Sequence, residues 1–125
     1  MKHVILGAGP AGVIAAENLR KADPTANVVL IGGENKPPYS RMAIPYVLTG
    51  KIEEQGTYLR KTDGHYEDKG IQYVQGLASK VDSAAKTVTL EDGQDFPYDK
   101  LLVATGATPI TPPVPGLDLD GVHHC

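Results

Sequence analysis

The hexapeptide Gly7-Ala8-Gly9-Pro10-Ala11-Gly12 spaces its glycines as G-x-G-x-x-G, a pattern whose chemistry is the holding of a pyrophosphate by backbone rather than by side chains. Gly7 permits a tight turn, Gly9 lets main-chain amides approach the phosphates, and Gly12 lets a following helix pack closely on a sheet. Pro10 suits the first turn of that helix, where its missing N–H has no intrahelical partner to lose. The free N–H groups of the turn and the positive end of the helix dipole then face the anion. The expected ligands from this loop are Gly7, Ala8, Gly9, Pro10, Ala11 and Gly12. Val13 stands where a triphosphate-binding loop carries its lysine, which disfavours nucleoside triphosphate transfer.

Two further positions have the right chemistry at the right distance. Gly33 and Glu34 lie roughly 20 residues beyond Gly12, where a carboxylate accepts hydrogen bonds from an adenosine ribose. Glu34 sits past two glycines, two positions farther from the strand end than the simplest arrangement. Arg41 falls in the loop beyond, and a guanidinium forks onto phosphate oxygens. The glycine motif by itself does not say which dinucleotide is bound. No side chain reads as a general acid, a general base or a covalent nucleophile, and no catalytic residue is assigned.

These residues need elements to position them. The apolar run His3 to Leu6 followed by glycines, then Ala11, Ile14, Ala15, Leu19 and Ala22 at helical spacing, reads as strand, turn and helix. Arg20 and Lys21 in the last turn suit the helix dipole, and Pro24 stops the helix near Ala22. Val28 to Ile31 reads as a second strand, parallel to the first and buried on both faces. Residues 32–51 form a long loop rich in Gly, Pro and Tyr, with one short helix around Pro45 to Leu48. Thr62 is the expected N-cap of a short helix reaching Lys69, closed by Gly70. Ile71 to Val74 is a third parallel strand, and Ala78 to Tyr98 a small antiparallel meander turning at Asp92-Gly93. Leu101 to Ala104 is expected to be a fourth, buried strand, after which Pro109, Pro112, Pro113 and Pro115 rule out regular structure.

The fold class is therefore α/β: a Rossmann-like domain with a central parallel sheet plus a small antiparallel β-meander. The 125 residues suffice for one domain with a core. An apolar fraction of 41% and a charged fraction of 22% are those of a soluble globular protein, and no apolar run approaches the ~20 residues that span a bilayer. The apolar start is broken by Gly7 and Gly9 before it could serve as a signal-peptide core, so a cytoplasmic protein is expected. A net charge of -3 without a basic stripe argues against nucleic acid as a partner. The single cysteine, Cys125, cannot supply an internal disulfide or redox pair, so electron chemistry would need a bound cofactor.

Three segments, Val4-Ile5-Leu6-Gly7-Ala8-Gly9-Pro10-Ala11-Gly12, Pro38-Tyr39-Ser40-Arg41 and the run from Tyr98 to Pro109 with its A-T-G-A-x-P close, give the chain a family likeness. It resembles the pyridine nucleotide-disulfide oxidoreductase superfamily, in the branch of rubredoxin and ferredoxin reductases, NADH oxidases and nitrite reductase subunits. The resemblance implies an FAD-binding fold, with FAD as cofactor, NAD(P)H as substrate of the intact enzyme, and a protein or small-molecule acceptor such as a rubredoxin- or ferredoxin-like partner. It places the glycine loop on the FAD pyrophosphate, Glu34 on the adenosine ribose, and Arg41 near the phosphates or flavin. It also sets the Ala78 backbone on the adenine, and Ala104, Thr105 and Gly106 against the cofactor from the far side of the first strand.

Two departures from the family pattern bear on function. Met42 stands where thiol-using members carry the redox cysteine, and a thioether forms neither a disulfide nor a thiolate–flavin complex, which disfavours cysteine-based mechanisms. Tyr46 stands where many ferredoxin-reductase relatives carry lysine and receives no flavin role. The resemblance further implies residues 1–110 as the N-terminal part of the FAD-binding domain. Residues 111–125 become a proline-rich linker toward an NAD(P)H-binding domain and a C-terminal domain absent from these residues. The apolar surface those parts would cover also offers two chains a place to pair. His123-His124-Cys125 is expected to be an unstructured tail rather than a metal site. Two other readings remain open: an NAD(P)-binding Rossmann domain of a dehydrogenase, and a non-catalytic nucleotide-binding or assembly module.

Overall fold

The computed structural model describes residues 1–123. His124 and Cys125 of the expected tail lie outside the described residues. Four strands, β1 (Lys2–Leu6), β2 (Asn27–Gly32), β3 (Ile71–Gln75) and β7 (Lys100–Val103), make a wholly parallel sheet in the order β3-β2-β1-β7. Three more, β4 (Ala78–Asp82), β5 (Thr87–Leu90) and β6 (Asp95–Pro97), form the antiparallel meander. The long helix α1 (Pro10–Ala22) connects β1 to β2, and two short helices, α2 (Ile44–Leu48) and α3 (His65–Asp68), lie between β2 and β3.

The period of two along a strand divides the central sheet between two cores. Ile5, Val28, Leu30 and Ile71 face one side with Val13 and Ala16 of α1 and Tyr66 of α3. Val4, Leu6, Val29 and Ile31 face the other, packed on Val88 and Leu90 of the meander. Both faces of β1 and β2 are thus covered, which is why their sequences run apolar instead of alternating.

Three expectations need correction. The strand expected at Leu101 to Ala104 runs Lys100–Val103 and is not buried: Leu102 and Val103 are 41% and 61% exposed, because β7 is the sheet edge and has β1 as its one neighbour. Thr62 does not cap α3. Gly64, with φ +73°, holds that place, and the carbonyl of Thr62 accepts a turn bond from the His65 N–H at 3.3 Å. On α1 the buried face is Gly12, Val13, Ala16 and Glu17, and Ile14 is half exposed.

The buried glutamate on that face holds the layers together. Arg60 grips Glu17 in a two-pronged ion pair, Nε to Oε1 at 2.7 Å and Nη2 to Oε2 at 2.6 Å, and His65 Nε2 lies 2.8 Å from Oε1. Arg60 also donates to the carbonyl of Leu59 at 2.6 Å, so the clasp fastens the 59–65 segment to α1. The Arg60 hydrogen bond outweighs burial and, with His65, holds the Glu17 carboxyl down to about 2 from an ordinary 4.5.

A carboxyl whose folded pKa lies below its unfolded value contributes stability above the unfolded pKa and loses it as pH falls toward the folded one. The shift corresponds to about 3 kcal/mol at neutral pH, lost between roughly pH 4.5 and pH 2. Glu17→Gln should therefore lower the urea unfolding free energy at pH 7 by about 2–3 kcal/mol and lower it much less at pH 3. A variant as stable as wild type at pH 7 would show that the clasp contributes nothing.

Candidate functional site

Ligands of open parallel α/β sheets sit beyond the carboxyl ends of the strands. Here that edge opens into a cleft of about 520 Å³, within the range of small-molecule sites, roughly 300–1,000 Å³. Gly7, Ala8, Gly9, Pro10 and Ala11 line it, with Gly33 and Glu34 past β2, Arg41, Ala78 at the start of β4, and Ala104, Thr105 and Gly106 past β7. Strands β1, β2 and β7 end side by side, with Leu6 opposite Ile31 and Val103, so segments distant in sequence arrive at one place. Gly12 is the exception among the expected ligands: it is buried behind the loop and packs rather than lines.

The three glycines of the loop divide into two mechanical types. Gly7 has φ +106°, and a Cβ there would run into the Ala104 carbonyl. A Cβ on Gly12 would run into the Gly7 carbonyl and touch the Ile5 side chain at 3.4 Å. Both are places where two backbones nearly touch. Gly9 is the opposite case, with no atom of the described residues within 4 Å of where its Cβ would stand and an ordinary φ of -74°. Its bare side opens onto space at the start of α1.

The electrostatics of that opening favour an anion. Gly9 is the N-cap of α1, no side chain among the described residues caps the helix, and no acidic residue lies in its first turn. The first-turn N–H groups that a helix leaves unpaired, and its positive dipole end, are thus offered outward. An open cradle, a donor-rich rim and adjoining glycines fit a dinucleotide pyrophosphate.

Farther along the cleft, Glu34 receives two hydrogen bonds, from the Tyr39 hydroxyl to Oε2 at 2.6 Å and from Arg41 Nη2 to Oε1 at 2.7 Å. The Tyr39 bond first, then Arg41, holds its carboxyl below the ordinary range. Two groups singled out separately in the sequence are therefore one ion pair, and the Arg41 guanidinium is engaged by Glu34. The sequence reading missed Tyr39 as a partner of Glu34, and also Tyr73 and Leu77, which line the same cleft. Tyr39 sits in a quoted motif and could have been suspected from it. Tyr73 looks like any strand aromatic until β3 is placed beside β2.

A shallower cleft of about 350 Å³ lies over the Glu17 clasp, lined by Arg20, Lys21, Arg60, His65 and Lys69. Its arginines are committed: Arg60 to Glu17, and Arg20 to the carbonyls of Lys69 and Ala26 at 2.8 and 2.6 Å. Among the described residues no group of His, Cys, Asp and Glu could hold a metal ion, and no helix is long and apolar enough to cross a membrane.

A parallel α/β sheet carrying a glycine cradle, a carboxylate past its second strand and a meander packed on one face defines a dinucleotide-binding fold. The sequence places it more narrowly: residues 1–125 match the pyridine nucleotide-disulphide oxidoreductase family, and the chain belongs to it. It is 37% identical over 121 residues to a probable ferredoxin reductase of Castellaniella defragrans, covering 96% of this chain and 30% of that protein. It is 36% identical over 128 residues to an NADH oxidase of Methanocaldococcus jannaschii, covering 98% of this chain and 29% of that protein. Among solved structures, the putidaredoxin reductase–putidaredoxin complex superposes with a TM-score of 0.82 at 32% identity, over 90% of this chain and 27% of that one. The chain thus spans about 30% of the length of the curated relatives it matches.

The two types of glycine make a stability test. Gly12→Ala should destabilise the chain by about 3 kcal/mol or more, since the Cβ meets backbone that cannot yield. Gly9→Ala should stay within about 1 kcal/mol of wild type. Thermal or urea unfolding of both variants decides the matter, and equal stabilities would contradict the close approach at Gly12.

Proposed function

We propose that the chain is the FAD-binding portion of a flavoprotein oxidoreductase that passes electrons from NAD(P)H through FAD to a protein or small-molecule acceptor. The observation that carries this reading is the bare side of Gly9 opening at an uncapped helix N-terminus, in a cleft that continues past Glu34 and Ala78. The names of the relatives supply the chemistry: a ferredoxin reductase, an NADH oxidase, and a reductase captured with putidaredoxin.

In this reading the loop from Gly7 to Gly12 holds the pyrophosphate through N–H groups other than that of Gly7, which is spent on the Ile31 carbonyl, and Glu34 takes the adenosine ribose. Gly33 and the Ala78 backbone border the adenosine end. Ala104, Thr105 and Gly106 approach the cofactor from the β7 side, and Arg41 supports the site beside Glu34. Bound FAD would supply hydride acceptance and electron release, and these residues bind and orient it. With Met42 exposed at the cleft and one cysteine in the sequence, these residues hold no cysteine pair for disulfide-based chemistry.

The working protein in this reading acts in the cytoplasm with a rubredoxin- or ferredoxin-like acceptor. Residues 1–110 belong to its FAD-binding domain, and 111–125 lead toward an NAD(P)H-binding domain. Exposed Leu102, Val103 and Ile110 offer a surface on which those further parts, or a second copy, would pack.

The reading is tested by titrating the purified 125-residue chain with FAD and then following NADH consumption with a dye acceptor. In this reading these residues supply the adenosine half of the site, while hydride transfer needs two rings held in near contact. FAD should bind with a dissociation constant above about 1 µM, Gly9→Val should abolish that binding, and no sustained NADH oxidation should occur. Retention of FAD by Gly9→Val would count directly against the assigned loop.

A further inference from the structure

We infer that Tyr39 is a positioning residue that, together with Arg41, orients the Glu34 carboxylate to receive the adenosine-ribose hydroxyls. The inference rests on the proposed dinucleotide site and adds to it a residue with no ligand contact of its own. A carboxylate offers about four lone-pair directions. The Tyr39 hydroxyl takes one on Oε2 and Arg41 Nη2 one on Oε1, which leaves one on each oxygen, the number that the two vicinal hydroxyls of a ribose can use.

The two partners are held very differently. Arg41 is a long side chain, 67% exposed, and an exposed ion pair fixes geometry poorly. Tyr39 stands on pinned backbone. It bridges to Tyr58 in an antiparallel pair, its neighbour Ser40 donates to the Thr57 carbonyl at 2.9 Å, and Leu59 donates to the Pro38 carbonyl at 2.9 Å. Pro37 and a buried Pro38 restrict the approach to it. The Tyr39 hydroxyl lies on the axis of χ2, so on a fixed backbone only the few staggered χ1 wells decide where it stands. Tyr39 therefore sets the carboxylate, and Arg41 supports it.

The groups that bear on the Glu34 charge are the Tyr39 hydroxyl and the Arg41 guanidinium, and Tyr73 on β3 feels that charge in turn. Removing the Tyr39 hydroxyl lets the carboxyl return toward its ordinary range, so ligand binding should weaken at a higher pH than in wild type.

The test uses ADP-ribose, which carries the adenosine ribose and a pyrophosphate, titrated into the 125-residue chain and followed by amide spectra that also report folding. Tyr39→Phe should weaken binding roughly fivefold to tenfold and move the acid limb of the affinity upward; comparison with wild type cancels the titration of the probe. Glu34→Ala should weaken it further, and adding Tyr39→Phe to Glu34→Ala should change little more, since Tyr39, though it also neighbours Arg41, acts on the ribose through the carboxylate. Losses that add, or a Tyr39→Phe variant that binds like wild type, overturn the inference while leaving the dinucleotide site standing. A folded wild-type chain that does not bind ADP-ribose overturns that reading and the inference with it.

Discussion

Three backbone segments meet at one crossing, and the rest of the structure is arranged around it. The Gly7 N–H donates to the Ile31 carbonyl at 2.8 Å, which ties the loop to the end of β2. The Ala104 N–H donates to the Leu6 carbonyl at 2.7 Å, which ties in the end of β7. Gly7 then touches the Ala104 carbonyl, and Gly12 brings α1 onto Gly7. No side chain fits at either glycine contact. Gly7 and Ala104 also line the cleft, and Gly9 stays bare beside them, so the cradle forms on the rim of a packing contact.

Crowding at the loop fixes one end of α1, and the Glu17–Arg60–His65 clasp holds its middle. The helix packs on the sheet with a narrow apolar face, Val13 and Ala16 flanked by glycine and glutamate. Arg60 satisfies the buried carboxylate and also carries the chain that leads into α3 and β3. In the same layer, Tyr66 stacks on Tyr73 with ring centroids 5.8 Å apart, and Tyr73 reaches the cleft. Burial pushes the Tyr66 hydroxyl up to about 12, and its oxygen has no hydrogen-bond partner among the described residues, a cost that the surrounding apolar packing offsets. The polar clasp and the aromatic stack thus hold β3, and the wall it contributes, in register with the loop.

Much of this was legible in the sequence because its signals are local. The β1–loop–α1 unit shows in a glycine spacing and a proline, and the meander in alternating residues around Asp92-Gly93, where Gly93 takes φ +87°. Partners that lie far apart in sequence stayed hidden. Nothing near Glu17 announces Arg60 or His65, and an acidic residue on a helix ordinarily faces water. The burial of Leu101 to Ala104 was misjudged because an apolar run fits a central strand and an edge strand equally well, and position in the sheet is a property of the whole chain. Glu34 and Arg41 both line the cleft, but their ion pair depends on how the 34–58 loop closes through Tyr39 and Tyr58.

The central claim is that the bare side of Gly9 and the first turn of α1 receive a pyrophosphate. Mapping which backbone amides move when FAD is added to the isotopically labelled chain tests it most directly. The account predicts the largest shifts at Ala8, Gly9, Ala11 and Gly12, with smaller ones at Gly33, Glu34 and Thr105, and still amides at Lys21 and Lys69 beside the clasp. Shifts centred on Arg20, Arg60 and Lys69 with a silent glycine loop would contradict it.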